Sequence, residues 1–146
     1  MFKRVLFVCI GNICRSPTAE VLMRHQLRER HGLEISSAGL QAMVGKPIDQ
    51  TAADLLREHG LDPNGHQARQ ATPSVLTAAD LILVMEQAHI AKIIRDVPQV
   101  SGKTFLLGHW DGKAEVADPY RQQRIAFEHV FGVIEQGVSR WAPHIK

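Results

Sequence analysis

The stretch from Lys3 to Val8 ("KRVLFV") is rich in Val, Leu and Phe with no polar alternation, the pattern of a short strand buried on both faces. Ser16 then offers a helix N-cap, Pro17 suits a first helical turn, and Glu20 lies just beyond it. Leu22, Met23, Gln26, Leu27 and Arg30 continue at helical spacing until Gly32 can stop the run. "EISSAG" predicts a second strand ending in a turn. Asp49 can cap a helix from Gln50 to His59 that points Ala53 and Leu56 inward, with Leu55 a further candidate, and stops at Gly60. Thr72-Pro73 opens a brief helix, and "DLILVM" (Asp80 to Met85) predicts a third strand. Ile90, Ile93 and Ile94 place a helix over Gln87 to Val97, and "KTFLLG" predicts a fourth strand. Gly108 to Pro119 reads as a loop, and Arg121 to Trp141 as a long closing amphipathic helix.

Short apolar strands alternating with helices predict an α/β fold: a four-stranded parallel sheet flanked by helices in three layers. Such sheets bind ligands beyond the carboxyl ends of their strands. The turn "CIGNICRSP" after the first strand falls there, and it holds both cysteines of the chain, Cys9 and Cys14.

At 146 residues the chain fits one domain, taken as residues 1–146, with enough length for a hydrophobic core. Its 17 basic and 15 acidic side chains include no Lys/Arg run or aromatic-interleaved basic stripe, which argues against nucleic acid as a partner. Two cysteines cannot staple a secreted domain of this size, so a reducing compartment is expected. The basic, apolar start resembles a signal peptide but is too short and lacks a small-residue cleavage site. No stretch reaches the roughly 20 apolar residues of a membrane span. The expectation is a cytoplasmic protein without direct membrane insertion.

Gly11 and Asn12 permit unusual backbone angles between the strand and the Ser-Pro helix start. Successive N–H groups from Ile10, Gly11, Asn12, Ile13, Cys14 and Arg15 can then curl around a point in front of Cys9. The helix dipole adds positive potential there, making an anion cradle of phosphate size. Arg15 can add a two-pronged hydrogen bond that Lys could not reproduce. The same field favours a thiolate, so Cys9 is expected to be a nucleophile aimed at the bound oxyanion. A zinc site is disfavoured because Cys-x4-Cys lacks a second ligand pair. A nucleotide loop is disfavoured because Gly-Lys-Ser/Thr and GxGxxG are missing. No metal or cofactor is expected. A thiolate attacking a phosphate monoester needs a proton donor for the leaving oxygen. Asp118, in "EVADPYRQQR" before the last helix, is the candidate, with Tyr120 beside the cleft.

Together these segments resemble the low-molecular-weight protein-tyrosine phosphatases: "VCIGNICRSPTAE", "SSAG", "GHQARQ", "DLILVM" and "DPY", at matching separations over nearly the whole chain. The resemblance implies the phosphotyrosine protein phosphatase I-like fold and hydrolysis of phosphotyrosine in proteins. It assigns Cys9 as the nucleophile forming a phosphocysteine, Arg15 as the phosphoryl ligand and Asp118 as the acid and then base. Asn12, Ser16, Ser37 and His66 would support the loop, and Cys14 would pair reversibly with Cys9 under oxidation. "GHWD" and "MEQAHI" are similar to the bacterial branch acting on tyrosine autokinases of capsule and exopolysaccharide export, which implies such a kinase as partner. The other histidines, His25, His59 and His89 among them, lack metal-ligand spacing and are expected in solvent. Departures fall on the substrate wall. Leu40, Ala42 and Met43 stand where the animal enzymes carry an aromatic, and Tyr120-Arg121 replaces two tyrosines. Leu40 and Tyr120 are the candidates for that wall.

Three alternatives remain. An arsenate reductase would need further cysteines after Cys14. A phosphoarginine phosphatase favours Thr where Ile13 stands. A non-catalytic phosphotyrosine-binding module would require neither nucleophile nor acid.

Overall fold

The computed structural model describes residues 2–145. Strands β1 (Arg4–Cys9), β2 (Glu34–Gly39), β3 (Leu81–Val84) and β4 (Thr104–Leu106) form one parallel sheet in the order β2-β1-β3-β4. Helices α1 (Arg15–Gln26), α2 (Gln50–Glu58), α3 (Pro73–Ala78), α4 (Gln87–Asp96) and α5 (Arg124–Ile145) cover both faces. The period-2 alternation of each strand explains the three layers. Val5, Phe7 and Cys9 of β1, with Leu81 and Leu83 of β3, face the core under α1, α2 and α5. Leu6, Val8, Ile82 and Val84 face the second core under α3 and α4. The uninterrupted apolar runs in the sequence were the signature of this double burial.

Chain order reverses between β1 and β3: β2 lies to one side of β1 and β3 to the other. The carboxyl ends of these two strands diverge into the loops that follow them, which opens a crevice at that edge. Residues Ile10–Cys14 leave β1 there, and Met85–Glu86 leave β3 beside them.

Element boundaries differ from expectation in a few places. The N-cap of α1 is Cys14, not Ser16; Ser16 is inside the first turn and its hydroxyl bonds Cys9 and Asn12 instead. The last helix starts at Arg124 rather than Arg121, because Arg121 takes a left-handed φ of 63° in a turn closed by Gln122 N–H donating to Pro119 O. It then runs past Trp141 through Pro143 to Ile145. A 3-10 helix at Pro98–Lys103, which the sequence did not suggest, precedes β4. No helix among the described residues is long and apolar enough to cross a membrane.

Candidate active site

The loop from Cys9 to Cys14 is held from outside by its carbonyls. Cys9 O accepts from Leu40 N, Ile10 O from Gln41 N and Gly11 O from Met43 N, each at 2.9 Å. Asn12 O accepts from His66 Nε2 at 2.7 Å, so that nitrogen carries the ring proton. Ile13 O accepts from Asp49 N at 2.8 Å, and Cys14 O from Thr18 N and Oγ1. Six consecutive carbonyls thus face outward. Because a peptide's N–H points opposite its C=O, the following amides face inward. None of the amides from Ile10 to Arg15 donates to another group among the described residues. A ring of unpaired donors at a helix N-terminus is an anion receptor.

Gly39 makes this possible. A Cβ there would sit 2.4 Å from Ile10 O and 3.0 Å from Asn12 Cβ, so only glycine lets β2 end against the loop.

Asn12 is the hinge of the loop, at φ 60° and 0% exposed. Its Oδ1 accepts from Arg69 N at 2.9 Å, which fixes the amide orientation. Nδ2 donates to Ser16 Oγ at 2.8 Å and Ser37 Oγ at 3.0 Å. Ser37 passes its own proton to Glu20 Oε1 at 2.6 Å. Ser16, already accepting, can direct its proton to Cys9 Sγ at 2.9 Å. Arg24 in turn pairs with Glu20 at 2.7 Å. Burial pushes the Cys14 thiol well above its ordinary pKa, followed by the charges of Asp49, Cys9 and Asp118, with Arg15 opposing.

Arg15 is 2% exposed at the start of α1. Its Nη1 is fixed by Glu86 Oε2 at 2.5 Å and Val116 O at 2.9 Å. Nη2 lies 3.7 Å from Asp118 Oδ2. The Nε–Nη2 edge therefore makes no short hydrogen bond among the described residues and matches two oxygens of a phosphoryl group. Asp118 also accepts from Tyr120 N at 3.0 Å, which tightens the turn that carries both.

The cleft so formed has about 150 Å³ of free volume and is lined by the loop, Gln41, Met43, Asp118 and Tyr120. Cys9, Arg15, Asp118 and Tyr120 are brought together at this cleft, while Asn12 lies within the loop and Ser16, Ser37 and His66 stand behind it. Leu40 is not on this wall. It packs against the second core and lines a separate cavity with Gln70 and Ala71, because its N–H is spent on Cys9 O and the strand alternation turns its side chain away. Gln41 and Met43 occupy the wall instead.

His89 is also corrected: it is 3% exposed, with Nε2 3.7 Å from Glu86 Oε2 and Nδ1 without a partner among the described residues. Glu86, Glu20, Arg69 and Val116 were missed. Glu86 carried a usable signal: it is the first charged residue after an apolar strand, at a strand's carboxyl end. Val116 acts through its backbone carbonyl, and Arg69 meets Asn12 through its backbone N–H while its guanidinium donates to Ser37 O and Ser36 Oγ, so neither contact with the site carries a local signal. Among the described residues, no three His, Cys, Asp or Glu side chains converge as metal ligands would.

A buried strand, an amide-lined loop, an Arg clamp and a nearby carboxyl group define a protein class. The family model described as low molecular weight phosphotyrosine protein phosphatase matches residues 4–146, and the chain belongs to that enzyme family. Among curated relatives, the probable low molecular weight protein-tyrosine-phosphatase AmsI of Erwinia amylovora is 50% identical over 141 residues, 97% of this chain and 96% of AmsI. The crystal structure of the tyrosine phosphatase Wzb from Escherichia coli K30 in complex with sulphate superposes with a TM-score of 0.94 at 40% identity, covering 100% of both chains. The YwlE arginine phosphatase from Geobacillus stearothermophilus superposes at 0.89 with 30% identity, over 97% of this chain and 91% of that one.

Proposed function

We propose that the protein hydrolyses phosphotyrosine in proteins through a phosphocysteine. The Cys9 sulfur attacks phosphorus, forming a P–S bond as the bond to the tyrosyl oxygen breaks. Asp118 gives that oxygen its proton. Water then attacks phosphorus, Asp118 takes the proton back, and the P–S bond breaks to release inorganic phosphate. The inward amides from Ile10 to Arg15 and the Nε–Nη2 edge of Arg15 receive the negative charge that the equatorial oxygens carry in both steps. The observation that carries this reading is the outward anchoring of six successive loop carbonyls around Cys9.

A phosphotyrosine rather than a phosphoarginine substrate is supported by Ile13, whose alkyl side chain suits a phenyl ring better than a guanidinium. The identities point the same way, at 50% to AmsI against 30% to the arginine phosphatase. The physiological substrate in this reading is a tyrosine autokinase of capsule or exopolysaccharide export, acted on in the cytoplasm. Its support is the likeness of "GHWD" and "MEQAHI" to that bacterial branch.

The test is turnover of para-nitrophenyl phosphate in the presence of a chelator. Cys9→Ser is expected to abolish turnover while retaining phosphate binding, and Asp118→Ala to slow it by about 10²–10⁴. Activity that appears only with added metal contradicts the mechanism.

A further inference from the structure

The loops around the cleft carry a charge imbalance that the chemistry above leaves unused. Their carboxylates are all engaged. Asp49 caps α2 through Thr51 N at 2.9 Å and Ala52 N at 3.3 Å. Glu86 holds Arg15, Glu115 accepts from Gln87 N at 2.7 Å, and Asp118 is shared between Tyr120 N and Arg15. Three exposed cations on the same loops, Lys46, Lys113 and Arg121, form no ion pair among the described residues, and of these Lys46 and Arg121 adjoin the cleft. Arg124, three residues on, differs: it is paired with both Glu58 and Glu128.

Arg121 is placed rather than merely exposed. Its left-handed backbone carries the guanidinium over the Tyr120 ring, 5.2 Å from the centroid, and Tyr120 lines the cleft. A cation on an aromatic face gives up some of its freedom, so its charge is kept at the lip. Lys46 belongs to the turn of Met43, its N–H donating to Met43 O at 3.0 Å, and Met43 lines the cleft as well. In the phosphatase reading the phosphoryl group lies at the bottom of the cleft with Arg15. An extended peptide advances about 3.3–3.6 Å per residue, so the one or two residues on either side of a bound phosphotyrosine pass over the lip.

We propose that Arg121 is a specificity residue that selects acidic side chains flanking the phosphotyrosine, with Lys46 adding to the same positive field. This rests on the phosphotyrosine reading and narrows its substrate class to acidic segments. Arg121 touches neither the phosphoryl group nor Cys9. Its effect therefore falls on capture of the peptide and leaves the chemical steps alone.

The experiment compares phosphotyrosine peptides whose flanking residues are Glu, Ala or Lys, with wild type, Arg121→Gln and Arg121→Glu. An exposed charge contact changes binding by about two- to five-fold, and the Glu-to-Lys contrast doubles that in logarithm. Wild type is expected to favour Glu over Lys peptides in kcat/KM, with the contrast shrinking as salt rises. Arg121→Gln should flatten the preference and Arg121→Glu reverse it, while para-nitrophenyl phosphate turnover stays unchanged in all three. The same contrast should appear in peptide affinities measured on the Cys9→Ser background. Equal affinities for Glu and Lys peptides, or a preference that survives Arg121→Glu, overturn the proposal. Absent turnover of para-nitrophenyl phosphate by wild type would instead count against the phosphatase reading, and the affinity measurement would still decide the role of Arg121.

Discussion

Asn12 shows how one side chain can hold a catalytic geometry without touching a substrate. Its amide spends both protons on serine hydroxyls and its oxygen on a backbone N–H, all in the dark of the protein. Asn12→Ala leaves buried donors and acceptors without partners, each costing about 1–3 kcal/mol. Urea unfolding should show a loss in that range or above, and turnover should fall with it as the loop relaxes. His89 makes a second residue-scale prediction. Burial, and after it the Arg15 charge, holds its pKa below the ordinary imidazole value, while Glu86, Glu115 and Asp118 pull it upward. The unfolded chain takes up the proton near pH 6.5 and the folded chain only at lower pH. Between those values the unfolded state binds more protons, so stability declines as pH drops through that window. His89→Asn should unfold with a smaller change in free energy between about pH 7 and about pH 5.5 than wild type does. Cys14 supplies a third. Kept as a thiol by burial, it can condense with a Cys9 sulfenic acid, forming the disulfide and releasing water. Wild type treated with peroxide should regain more activity on thiol addition than Cys14→Ser. Equal recovery removes the protective role.

At the scale of elements, the loop works because β2, the segment around His66 and α1 each supply a different wall. Gly39 is where β2 touches it. Gly39→Ala places a Cβ against Ile10 O, and two backbones cannot both yield. The loop is expected to shift, lowering affinity for phosphate more than it lowers thermal stability; a competitive phosphate inhibition constant equal to that of wild type would contradict this. Elements were also the scale at which the sequence was most legible. Strands buried on both faces announced themselves as apolar runs, and Asp49 and Thr72 cap α2 and α3 through their side chains as their positions suggested. The start of α1 was misjudged because Ser16 looks like a cap, yet its hydroxyl has stronger partners in Cys9 and Asn12. The 3-10 helix escaped because so short a segment, holding both Pro98 and Gly102, shows no helical apolar period, and the late start of α5 because a left-handed Arg is not visible in composition.

For the whole molecule, parallel strand order places the site before any catalytic residue is considered: the carboxyl ends of β1 and β3 diverge, and the nucleophile loop and Glu86 emerge side by side. The loop residues were legible because they are contiguous. The Arg15 partners were not, since Glu86 and Val116 lie 71 and 101 positions away and only the assembled sheet brings them near. Stability and catalysis are correspondingly separable. Trp141 closes the far end of the α5 face, donating Nε1 to Leu106 O and packing in the core. Trp141→Ala should cost about 3–5 kcal/mol in unfolding free energy while the folded fraction keeps its kcat. The central claim is that the amides from Ile10 to Arg15 enclose a tetrahedral dianion with the Cys9 sulfur behind its central atom. A crystal structure with orthovanadate tests it most directly. The expected result is vanadium bonded to Cys9 Sγ, its equatorial oxygens on those amides and on the Nε–Nη2 edge of Arg15. Vanadate bound elsewhere, or the Cys9 sulfur turned into the core with Arg15 unengaged, would contradict it.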